Sequence, residues 1–62
     1  MNYDITIYAA VRRIKRQARR SARDIAHRQQ NLEWLSSQVN DLELSPADYE
    51  QTIKEIADIL HI

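Results

Sequence analysis

The sequence predicts an all-α protein, a helical hairpin that dimerises into a four-helix-type bundle. Three observations carry that prediction. Ile7, Val11, Ile14, Ala18, Ser21, Ile25, Arg28, Leu32, Leu35, Val39 and Leu42 recur at alternating spacings of four and three, which draws one stripe along one helix. Glycine is absent and proline occurs once, so turns are few and any positive φ is expected at Asn or Asp. β-Branched alternation is confined to Ile5-Thr6-Ile7, too short a run for a sheet.

The elements follow in chain order. The first helix is expected over about residues 5–40, capped by Asp4 or Thr6. Nothing compels a break before Val39, although Ser21 with Asp24 forms a weak capping-box pattern at which the helix could bend or restart. Unbroken, about 35 residues of helix reach ~50 Å. Asn40-Asp41 is the expected stop, because Asn tolerates the left-handed conformation that ends helices. The second helix, about residues 46–61, has the sharpest start. Ser45 is a natural N-cap, Pro46 suits the first helical position and Asp48 stands where a capping-box acid belongs. Leu44 and Tyr49 are placed for a hydrophobic staple across that cap. Tyr49, Ile53, Ile56 and Leu60 form its seam, Glu50 and Lys54 an i,i+4 pair, and His61 suits the negative end.

Residues 1–62 are read as one hairpin domain. The short connection from Asn40 to Ser45 forces the two helices antiparallel. The second helix then covers the stretch from about Ile25 to Leu42, leaving Ile7, Val11, Ile14 and Ala18 bare. A homodimer is expected to shelter that stripe. Polar seam positions Ser21 and Arg28 weaken a two-stranded coiled coil, and the small or neutral flanking residues lack the Glu/Lys pairing of a parallel zipper.

Net charge is zero but divided. Residues 1–31 carry eight basic and two acidic groups, and residues 32–62 carry seven acidic and one basic. That split fits a basic arm for an acidic partner, or pairing between the halves. Arg12, Arg13, Arg16, Arg19, Arg20 and Arg23 all point away from the seam, as phosphate contacts require. The alternatives are a solvated face or a counter-charge for the acidic half. Trp34 lies on the outer side of the first helix, either as a partner anchor or packed on the second helix or a dimer mate. Tyr3 and Tyr8 either anchor a partner or close the bundle end, with packing preferred, and Arg28 is a snorkelling side chain or the partner of an acid such as Glu50 or Glu55.

Chemistry is not expected. Without cysteine there is no disulfide or thiolate site. His27 has no second ligand at i,i+4. Ser21, Asp24 and His27 diverge on one helix and cannot form a triad, and without glycine no loop cradles phosphate. No metal, cofactor or catalysis is therefore expected. No apolar run approaches the ~20 residues needed to cross a bilayer, and Asp4 and the arginines interrupt any signal-peptide core. A cytoplasmic protein without membrane contact is the expectation.

The segment Val11–Gln29 (VRRIKRQARRSARDIAHRQ) is similar in composition to the arginine-rich helical motifs of RNA-binding phage antiterminators. The overall length, the opening MNYDITIYAAVRRIKRQARR and the hairpin pattern resemble the small helical proteins from the early exo–xis region of lambdoid bacteriophages. That resemblance implies a non-enzymatic regulatory protein that tunes the choice between lytic growth and lysogeny by binding host or phage proteins. The other reading is an arginine-rich helix that binds RNA or DNA through residues 12–28.

Overall fold

The computed structural model describes residues 5–62. All regular structure in them is helical. α1 spans Ile5–Ser21, a single 3₁₀ turn spans Ile25–His27, α2 spans Arg28–Asn40 and α3 spans Pro46–Ile59. Three α-helices pack together where two were expected.

The expected long helix is broken after Ser21, and the local chemistry explains why. The Asp24 backbone N–H donates to the Ser21 carbonyl at 2.9 Å and closes the end of α1. Asp24 itself leaves the helical region, at φ −94° and ψ 80°. Its carboxylate accepts from the His27 backbone N–H at 3.3 Å, which is N-cap geometry for the next turn. The restart therefore belongs to Asp24, three residues beyond the Ser21 cap that the sequence pattern indicates. The longest extent of the molecule is 35 Å, so a continuous ~50 Å helix has no room in it.

The break folds α1 back onto α2 and α3. Ile14, Ala18, Leu35, Val39, Ile56 and Leu60 form the buried core, joined by Ala22, Leu32, Leu42, Leu44, Tyr49, Ile53 and Ile59. Ala10 and Val11 are buried as well, and Ile7 is half-buried. The stripe expected to be bare is thus largely covered within one chain, which removes the reason for requiring a second copy. Fully buried Ala18, with its single methyl, lets α1 approach its neighbours closely. Ile25 is the seam residue that the break displaces. It sits in the 3₁₀ turn and is 70% exposed.

Helix ends complete the frame. Ser45 Oγ accepts from the Asp48 N–H at 3.3 Å with Pro46 in the first turn, as expected. Thr52, buried, donates its hydroxyl to the Asp48 carbonyl at 2.8 Å, so its own polar atom is paired within the core. α3 ends with His61 at φ 62°, the Ile62 N–H reaching the Ala57 carbonyl and the His61 N–H that of Asp58. This is a Schellman closure. The other positive φ is at Glu43, 54°, so neither left-handed residue is the Asn or Asp expected. The Asp4 cap and Tyr3 lie outside the described residues.

Candidate functional site

α1 positions the candidate site. Burial of Ala10, Val11, Ile14 and Ala18 fixes its rotation. At 3.6 residues per turn, Arg12, Arg13, Arg16, Arg19 and Arg20 then stand on the opposite side. Arg23, just past the helix end, extends the row, and all six are exposed. Arg16, Arg19, Arg20 and Arg23 line one open concavity, and Ala9, Arg12, Arg13 and Arg16 line a second, with Arg16 shared.

The acidic half of the chain does not neutralise this face. Among the described residues, the ion pair joining the basic and acidic halves is Lys15 with Glu55, between α1 and α3. Gln51 Nε2 adds a hydrogen bond to Glu55 Oε2 at 3.1 Å. The Lys15 bond first, then that from Gln51, holds the Glu55 carboxyl below its ordinary value. Arg12 lies over the Tyr8 ring, 5.8 Å from its centroid, within cation–π range. Neither an ion pair nor a hydrogen bond reaches Arg13, Arg16, Arg19, Arg20 or Arg23 from another described residue. So dense a row of guanidinium groups makes a locally positive field although the whole chain is neutral.

Trp34 is 54% exposed, on the surface rather than packed under α3. Its place relative to the arginines follows from one bond. Gln38 Nε2 on α2 donates to Gln17 Oε1 on α1 at 3.1 Å, and the short connection makes the two helices antiparallel. Arg20 lies three residues from Gln17 toward that connection, and Trp34 four residues from Gln38 in the same direction. Residues three or four apart share a helix face. Arg20 on α1 and Trp34 on α2 therefore both lie on the connection side of the Gln17–Gln38 bond. Both residues are on outer surfaces, as expected from the sequence.

Arg28 takes neither acid as partner. Its Nη1 donates to the His61 carbonyl at 3.3 Å, so it serves the C-terminal end of α3. Its Nε is buried without a partner among the described residues. The expected Glu50–Lys54 ion pair is not formed. His27 Nδ1 lies 3.1 Å from each Asp24 carboxylate oxygen, and this contact chiefly holds the Asp24 carboxyl below its ordinary value. No group of three or more His, Cys, Asp or Glu side chains is gathered for a metal among the described residues. No helix there is long and apolar enough to cross a membrane.

No protein-family model, curated protein or solved structure matches this chain.

Proposed function

We propose that this chain is a small non-enzymatic regulatory protein that works by binding, with the arginine face of α1 as its docking surface for an anionic macromolecule. The observation that carries this reading is the isolation of Arg13, Arg16, Arg19, Arg20 and Arg23, which are exposed on one side and unneutralised by the described chain. Crowded like charges repel one another, and an anionic partner relieves that repulsion while releasing its own counterions. The resemblance to early exo–xis region proteins supports a role in tuning the lytic or lysogenic outcome in the host bacterial cytoplasm, through a host or phage protein or through nucleic acid.

Charge reversal tests the docking surface. Arg16→Glu with Arg20→Glu leaves helicity intact, because both side chains face outward, and abolishes retention of the protein on immobilised heparin at low salt. Flow-through of the unaltered protein at low salt contradicts the reading.

A homodimer is a second reading, favoured by the groove on the flank of α3 lined largely by Pro46, Tyr49, Ile53 and Ala57. Sedimentation at micromolar concentration tests it, and a single species at the mass of one chain removes it.

A further inference from the structure

We infer that the anionic macromolecule is a single-stranded nucleic acid, its phosphates running along the arginine face and one base stacked on Trp34. The inference rests on the docking reading of that face and adds the partner's class. Two features point to it. The two concavities that share Arg16 make a continuous track of guanidinium groups along α1, which is how a phosphate backbone is followed. An indole 54% exposed lies on α2, the helix that the Gln38–Gln17 bond ties to α1, and an exposed aromatic face on the helix next to a basic track is a stacking platform for unpaired bases.

The two edges of the track are unequal. On the α3 side Tyr8 is already engaged by Arg12, and the depression it shares with Arg12, Lys15, Asp48 and Glu55 already sets those cations against carboxylates, leaving less positive charge for phosphate there. The α2 side, through Arg20 to Trp34, is the one on which a base can follow its phosphate. A duplex offers phosphates to the arginines but keeps its bases stacked on each other, so it gains nothing from Trp34. An acidic peptide likewise satisfies the charge and leaves the indole without a stacking partner.

Trp34 is the one tryptophan of the chain, so its intrinsic fluorescence reports the stack directly. A twelve-nucleotide oligothymidylate, a duplex of the same length and poly-glutamate are titrated at low and moderate salt. The single strand is expected to bind most tightly and to quench the emission. Its affinity should fall with salt at a log–log slope of about −3, as for roughly four neutralised phosphates. Trp34→Leu should weaken single-strand binding by roughly five- to a hundredfold and leave duplex binding unchanged, with Trp34→Phe between them. Circular dichroism of both variants should match the parent. Equal binding of all three polyanions without quenching overturns the single-strand inference and leaves the docking surface standing. Binding of none of them at low salt overturns both.

Discussion

Lys15 on α1 and Glu55 on α3 form the ion pair that joins the basic half of the chain to its acidic half. The pair sits at the border of the core; Arg12 borders the same depression as Asp48 and Glu55, and the other arginines have no ion pair with α3. A split of +6 against −6 along the sequence therefore leads, among the described residues, to one ion pair across the halves and a charged face left over. The division of charge matters here for what it leaves outside the fold more than for what it holds together.

That pair makes the acid limb of stability predictable. The folded-state Glu55 carboxyl is held below its ordinary value of 4.5, so its stabilisation is complete above about that pH and disappears as pH falls through the lowered value. Glu55→Gln should remove this contribution and flatten the thermal midpoint between neutral and acid pH. With both side chains partly exposed, the cost at neutral pH should stay under ~1 kcal/mol. An unchanged acid limb in the variant contradicts the assignment.

Two apolar residues of the same seven-residue repeat should behave oppositely. Leu35 is fully buried, and Leu35→Ala should cost ~2–5 kcal/mol in denaturant unfolding. Ile25 is 70% exposed, and Ile25→Ser should stay within about 0.5 kcal/mol of the parent. A large loss at Ile25 would restore the continuous seam.

Asp24 organises the connection by capping its restart. Asp24→Ala should speed amide exchange at His27 and Arg28 while leaving protection in the middle of α1 and α3 unchanged. Asn, which retains a cap oxygen, should restore most of the protection. Equal protection in Asp24→Ala rules out the cap as the cause of the break.

Arg28 should matter at the far end of the chain. Its bond to the His61 carbonyl places a cation at the negative pole of α3. Arg28→Met should fray that end, seen as faster exchange of the Leu60, His61 and Ile62 amides, at ~0.3–1 kcal/mol of stability. Exchange limited to the start of α2 would assign Arg28 a different role.

Much of this architecture is legible in the residues, and the part that is not has a physical cause. The start of α3 is written locally: Ser45, Pro46 and Asp48 each satisfy a requirement of a helix N-terminus, and they do so here. The outward arginine face is also legible, because α1 alone determines it. The break is hidden by phase. Ser21 and Arg28 are one heptad apart, so the connection between them preserves the repeat, and periodicity cannot distinguish one helix from two in step. The signal that was present is polarity, since the two non-apolar seam positions are the two that flank the break. Without glycine or proline to mark a turn, Asp24 supplies it through its side chain. The Gln38–Gln17 bond between α1 and α2 follows only from the fold-back, so a single long helix could not contain it.

The fold-back is the claim on which both the covered stripe and the placing of Trp34's helix against α1 depend, and one distance tests it. Arg13 and Asp41 are exposed and suit nitroxide labels after replacement by cysteine. Twenty-eight residues of unbroken helix would hold them ~42 Å apart. Electron–electron dipolar spectroscopy on doubly labelled chains, diluted into unlabelled protein so that only intrachain pairs are read, should give a narrow distribution at less than half that separation. A population centred near 40 Å, or a short distance that vanishes on dilution, would contradict the account.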